Sequence, residues 1–148
     1  MLRVYLDNCC YNRPYDDQSQ AKVALETFGT IIIQTLIRHD LLELAWSYML
    51  DYENMHNQSE EQREAIQQWA SCAAVDVDES PNIRAIARYA QSTGLHPADA
   101  LHVACAIEAE CDYFITVDKR LLKYQDERIV VCDPLAFLRV LEDEQDET

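Results

Sequence analysis

Glycine occurs only twice and proline four times in the 148-residue chain, so no segment has linker composition and none before the C-terminus is of low complexity. No internal repeat is visible. Long apolar runs are also missing: the longest, around Ile31 to Ile33, falls far short of the ~18 uncharged residues a membrane span requires. The N-terminus, Met1-Leu2-Arg3-Val4-Tyr5-Leu6, runs at once into charged Asp7 and lacks the apolar stretch and small-residue cleavage site of a secretory signal. These absences predict a cytoplasmic protein with no membrane contact. No CxxC spacing joins any of the six cysteines, which are therefore expected as reduced thiols. Cys72, Cys105 and Cys132 lie among apolar neighbours and read as core packing.

Basic charge is scarce. Twelve Lys and Arg stand against 27 Asp and Glu, a net −15, whereas a nucleic-acid binder normally carries a basic footprint. Part of the excess is the tail Glu142-Asp143-Glu144-Gln145-Asp146-Glu147, whose five acids read as a solvated, frayed end. Without them the balance is 12 basic against 22 acidic residues, a net −10. The length suits one domain of the common ~100–150 residues, expected over 1–141 with the acidic tail at 142–148.

Local pattern predicts alternating strands and helices. Arg3 to Leu6 is a short β-prone run ending on Asp7, and Asn12, Pro14, Asp16 and Asp17 mark a loop. From about Ser19 to Arg38 apolar residues recur at three and four, the stripe of an amphipathic helix. Leu41 to Trp46 reads as a second strand. Ser47 caps a helix carrying Tyr48 to Asn57, Ser59 and Gln62 form a capping-box pattern, and Val75 to Val77 is a brief third strand. Ser80-Pro81 and Gly94 bracket a helix, and His96-Pro97 opens another to about Ala109. Tyr113 to Val117 is a buried strand ending on Asp118, Ile129 to Cys132 repeats the pattern, and Asp133-Pro134 starts a last helix with Leu135, Leu138, Val140 and Leu141 as its apolar residues. Such alternation predicts an α/β fold with a mainly parallel central sheet covered on both faces, a three-layer α/β/α arrangement.

In an open α/β sheet the ligand crevice lies outside the carboxyl ends of the strands, where Asp7 and Asp118 are delivered. Asp99 follows Pro97 in a first helical turn. Clustered carboxylates repel, so a shared site implies hard divalent cations. Each acid also has an ordinary reading: Asp7 with Asn8 as a turn, Glu53 as a solvated helix face, Asp99 as a first-turn acid, Asp118 as a helix cap.

Four blocks carry a resemblance to the PIN-domain family over nearly the whole chain: Val4-Tyr5-Leu6-Asp7-Asn8, Ser47 to Glu53 with its serine six before the acid, Ala98-Asp99-Ala100-Leu101-His102-Val103-Ala104-Cys105-Ala106, and Phe114-Ile115-Thr116-Val117-Asp118. Asn12-Arg13-Pro14 with Asp16-Asp17-Gln18 resembles a bacterial subgroup. The resemblance implies a PIN-like α/β/α domain whose acidic pocket binds Mg²⁺ or Mn²⁺ for phosphodiester hydrolysis, and an endoribonuclease similar to the toxins of toxin–antitoxin pairs. It implies an RNA substrate, an antitoxin partner and a homodimer. Carried over, Asp7, Glu53, Asp99 and Asp118 are the metal-binding and catalytic acids, with Thr116 supporting the pocket. Glu43 and Asp51 compete with Glu53, and the number of ions stays open.

Phosphate contacts are expected from Arg13 and from Lys119, Arg120 and Lys123, the densest basic patch, whose ordinary reading is a solvated helix face. Asn8 and Asn12 are candidates to touch substrate, although turn chemistry explains both. Three rivals stand beside this reading. Glu53-x-x-His56 and Asp99-x-x-His102 invite a di-iron helical bundle, which the strand pattern opposes; His102 otherwise reads as a core or helix-face histidine. A phosphotransferase would place a second Asp where Cys9 stands. A catalytically inactive interaction or RNA-binding module accords with the charge of −15 and with the helical faces Ile83 to Tyr89 and Leu36 to Trp46.

Overall fold

Val4, Tyr5 and Leu6 are all fully buried, the mark of a strand covered on both faces. The computed structural model, which describes residues 1–146, places them in the central strand β1 (Arg3–Leu6). On one side β1 pairs with β2 (Glu43–Ser47), Val4 opposite Leu44, and on the other with β4 (Tyr113–Ile115), Tyr5 opposite Phe114. Strands β3 (Val75–Val77) and β5 (Val130–Cys132) complete a five-stranded, all-parallel sheet in the order β3-β2-β1-β4-β5. Parallel neighbours require helical crossovers, so helices flank the sheet in the expected three-layer α/β/α fold.

The helices are α1 (Asn8–Asn12), α2 (Ala21–Arg38), α3 (Tyr48–Met55), α4 (Glu60–Gln67), α5 (Pro81–Ser92), α6 (Pro97–Glu108), α7 (Lys119–Leu122) and α8 (Pro134–Asp146), with 3₁₀ turns at Arg13–Tyr15 and Gln68–Cys72. Serine capping works as the sequence suggests. The Ser47, Ser59 and Ser80 hydroxyls accept from the N–H groups of Leu50, Gln62 and Ile83. Ser59 makes only half a capping box, because its own N–H donates to Asn57 Oδ1. Gly94, at φ 116°, ends α5 in a conformation closed to most side chains. None of the described helices is long and apolar enough to cross a membrane.

Several expectations are corrected. The stretch expected as a loop after β1 is helical: the Asp7 side chain accepts from Asn8 N–H, Asn12 Nδ2 donates to the Asn8 carbonyl, and Pro14 suits the first 3₁₀ turn. Strand β2 begins at Glu43 instead of Leu41, because Asp40 at φ 58° turns the chain and leaves Leu41 exposed. Cys105 is buried and Cys132 half-buried, but Cys72 is exposed on its 3₁₀ turn; all six thiols are free. The buried anchor of α8 is Phe137, stacked edge-on against Tyr113 with ring centroids 5.1 Å apart. Helix α8 spans Pro134–Asp146 and so includes most of the acidic tail. Glu147 and Thr148 lie outside the described residues.

Helix α2 packs against α8 at Gly29, where an added Cβ would sit 3.0 Å from the Pro134 side chain and 3.3 Å from Leu135. Gly29→Val is therefore expected to lower unfolding free energy by roughly 1–3 kcal/mol, the usual cost of overpacking. Urea denaturation measures it, and an unchanged midpoint would mean that the two helices separate freely.

Candidate active site

The chain winds from β1 to β2 and β3 on one side, then crosses to β4 and β5 on the other. The carboxyl ends of β1 and β4 thus form the topological switch point, the ligand crevice of open α/β sheets. Asp7 leaves β1 there, its N–H still donating to the Ile115 carbonyl at 2.9 Å. Its carboxylate is buried and held twice. Oδ1 accepts from Asn8 N–H at 2.8 Å and Oδ2 accepts from the Thr116 hydroxyl at 2.8 Å, with the Cys9 thiol at 3.4 Å.

Thr116 also accepts from Asp118 N–H at 3.1 Å, so one hydroxyl joins the turns that carry both acids. Asp118 caps α7 by accepting from Arg120 N–H at 2.8 Å. Its helix-cap role and its place in the crevice therefore coexist. Asp99 enters from the first turn of α6 and Glu53 from α3. Glu53 Oε1 is bonded to His102 Nε2, and His102 Nδ1 lies 2.6 Å from the Tyr5 hydroxyl.

The acids sense one another. Burial, then Asp7, then Asp99, pushes the Glu53 carboxyl up to about 7. Burial, then Asp7 and Asp118, raises Asp99. Burial pushes the His102 imidazole down against the pull of Asp7 and Asp99, which favours its neutral form. Among the described residues no three His, Cys, Asp or Glu side chains close into a ready metal cage. The donor set is nevertheless all oxygen, suited to a hard ion such as Mg²⁺ that binds through one or two carboxylates and keeps several waters.

Other candidates separate clearly. Glu43 is taken by Arg3 at 3.0 Å, and Asp51 accepts from Trp46 Nε1 and Gln67 Nε2, which leaves Glu53 as the acid coupled to Asp7 and Asp99. The Arg13 guanidinium is committed to buried Glu26 at 2.8 Å and to Asp16 at 3.0 Å, so it braces α2 and is not offered to phosphate. Lys119, Arg120 and Lys123 are exposed immediately after Asp118. Asn8 Oδ1 is buried with no hydrogen-bond partner among the described residues, while Asn12 Oδ1 accepts from Asn57 Nδ2. His56 turns to the Tyr52 carbonyl, and the parallel sheet excludes the di-iron bundle. A surface cleft of about 760 Å³ beside Tyr89 and Tyr124 contains none of the four acids.

The sequence reading missed the part played by His102, Tyr5 and Ser47. Signals were present in the Asp99-x-x-His102 spacing, which puts both side chains on one helical face, and in the places of Tyr5 two before Asp7 and Ser47 six before Glu53.

The PIN domain family profile matches residues 4–127. No curated protein sequence matches significantly. Similar solved structures include VapBC2 from Rickettsia felis bound to a promoter DNA fragment (13% identity, 88% of this chain and 97% of that one, TM-score 0.55). FitAcB from Neisseria gonorrhoeae has 16% identity over 89% and 98% of the two chains at a TM-score of 0.54. DNA-bound VapBC from Salmonella typhimurium has 14% identity over 90% and 99% at 0.55. At these identities the likeness is one of fold.

A carboxyl raised in the folded state binds its proton more tightly there than in the unfolded chain, so it favours folding at low pH and loses that effect as pH rises. For Glu53 the window runs from the ordinary carboxyl value of 4.5 to about 7. In chelator-treated protein the Glu53 contribution should make the melting temperature fall across that interval, and Glu53→Gln should flatten the fall. An identical pH profile for the two proteins would show that Glu53 is not held among other acids.

Proposed function

The chain belongs to the PIN-domain family, and on that premise we propose that it is a divalent-metal-dependent endoribonuclease. The observation that carries this reading is the coupling of Asp7, Glu53, Asp99 and Asp118 at the β1/β4 switch point, where burial and mutual repulsion raise Glu53 and Asp99. Carboxylates gathered at this cost to stability are what a cation site requires. Asp7, fixed by Thr116, and Glu53, Asp99 and Asp118 would hold Mg²⁺ or Mn²⁺. When bound, the ion supplies a water of lowered pKa and neutralises charge on the departing oxygen.

The protein's own residues orient and exclude. Thr116 and Asn8 N–H keep the Asp7 carboxylate from rotating, and Val117 and Leu121, on either side of Asp118 in sequence, are buried. Lys119, Arg120 and Lys123, exposed just after Asp118, would contact the phosphates of a strand entering past that acid. A toxin role with an antitoxin partner accords with family membership and with the VapBC and FitAcB structures of the same fold; a homodimeric state and a cytoplasmic location belong to the same proposal. The net charge of −15 favours the second reading, a catalytically inactive module over residues 1–141.

Asp99→Asn separates the two readings. It keeps side-chain size and removes one charge, so the metal-free variant should gain on the order of 1 kcal/mol in unfolding free energy. It should lose most of the Mn²⁺-induced rise in melting temperature and roughly 100-fold or more in RNA cleavage. A variant that melted lower, kept the metal shift and still cut RNA would make Asp99 an ordinary first-turn acid.

Changing Lys119, Arg120 and Lys123 together to Ala should weaken single-stranded RNA binding and reduce the slope of log K against log salt by roughly 2. Filter binding at several salt concentrations measures this. An unchanged slope would reduce the patch to a solvated face.

A further inference from the structure

We infer that His102 is a positioning residue, the last link of a buried hydrogen-bonded chain from Ser47 through Tyr5 that fixes the Glu53 carboxylate for metal binding. The inference rests on the nuclease reading above. The chain is continuous. Ser47 Oγ accepts from Leu50 N–H at 3.3 Å, Tyr5 Oη lies 2.7 Å from Ser47 Oγ and 2.6 Å from His102 Nδ1, and His102 Nε2 meets Glu53 Oε1.

Donor and acceptor inventory gives the protons one arrangement when Glu53 is ionised. A carboxylate only accepts, so His102 Nε2 carries the hydrogen. In a neutral imidazole Nδ1 is then an acceptor, and the Tyr5 hydroxyl donates to it. The phenol oxygen in turn accepts from the Ser47 hydroxyl, whose remaining lone pair takes Leu50 N–H. All the bonds point one way, and bonds so aligned polarise one another.

The chain closes on itself. It begins at Leu50 N–H and ends at Glu53, both on α3, so the cap that starts the helix is tied to the carboxylate three residues further on. Its middle is rigid: Tyr5 stacks on Phe114 at 5.3 Å and 13°, and meets His102 edge-on at 5.8 Å. A histidine serving the core alone would end on another buried group. Here the His102 side chain is 2% exposed but its partner Glu53 is 33% exposed, so a buried chain delivers its last hydrogen bond to a carboxylate at the crevice. Because Asp99 and His102 lie one turn apart on α6, that helix supplies one acid and orients another.

The test is Mn²⁺ affinity by titration calorimetry on wild type, His102→Leu, His102→Gln and Tyr5→Phe, with folding checked by circular dichroism. His102→Leu and Tyr5→Phe should weaken binding roughly 10–100-fold, the usual effect of removing a group that orients a ligand. His102→Gln, whose amide can still donate to the carboxylate, should recover part of the loss. In metal-free wild type above the pKa of Glu53, imidazole ¹⁵N shifts should show the Nε2–H tautomer. Folded variants binding Mn²⁺ within about twofold of a wild type that binds it would overturn the chain's role while leaving the nuclease reading intact. A wild type that binds no Mn²⁺ would overturn both. If the variants fail to fold, the tautomer decides: Nε2–H supports the chain and Nδ1–H overturns it.

Discussion

The parallel pairing of β1 with β2 on one side and β4 on the other is the constraint on which the rest depends. It places the ends of three strands side by side, so that Asp7, Ser47 and Thr116 become neighbours although 40 and 69 residues separate them in turn. Fully buried Val4, Leu44 and Phe114 hold this register. A slip of one residue would turn Asp7 away from Thr116 and exchange the side chains packed on the two covered faces of the sheet. Fold stability and site geometry therefore share the same hydrophobic contacts.

Within that frame the site stores a conflict. Four acids with few basic neighbours are held at strand and helix ends that the sheet does not allow to separate. Glu53 and Asp99 answer by holding their protons more tightly than free carboxyls do. Asp7 is instead secured by hydrogen bonds from Thr116 and Asn8. The division is physically coherent: a well-solvated set of acids would bind a cation weakly, while a fully buried set would be neutral and bind none.

The periodicity of the sequence made most of the architecture legible, since strands covered on both faces, serine caps and prolines at helix starts all act through near neighbours. The same locality made Asp7 legible as a strand-end acid and Asp118 as an acid beyond a strand, although β4 stops at Ile115 and not at Val117, and Asp118 caps the turn that follows. Glu53 was not separable from Glu43 and Asp51 until the partners Arg3, Trp46 and Gln67 claimed those two. The commitment of Arg13 to Glu26 was hidden because buried ion pairing depends on which face of α2 turns inward. The helical turn after Asp7 was hidden because Asn and Pro serve loops and helix starts alike. His102 was legible as a helical residue near Asp99, but its bonds to Tyr5 and Glu53 depend on the packing of α6 against β1 and α3.

The charge of −15 is less of an obstacle to binding an anionic polymer than its size suggests, because the substrate meets a local field. Arg3, Arg13, Arg84 and Arg128 are consumed by ion pairs with Glu43, Glu26, Glu79 and Asp126, and Arg38 lies over the Trp69 ring at 4.4 Å. These contacts occupy those arginines, whereas Lys119, Arg120 and Lys123 are exposed together just after Asp118. At physiological salt, charges beyond ~8 Å are largely screened, so a phosphate at Asp118 would respond to its immediate neighbours more than to the net charge. On the proposed reading a divalent cation among the four acids would offset part of their negative charge and leave the basic patch beside them less opposed. On that reading the acidic body would repel nucleic acid at long range while a loaded crevice would attract it at short range, so cation loading, more than net charge, would govern productive binding.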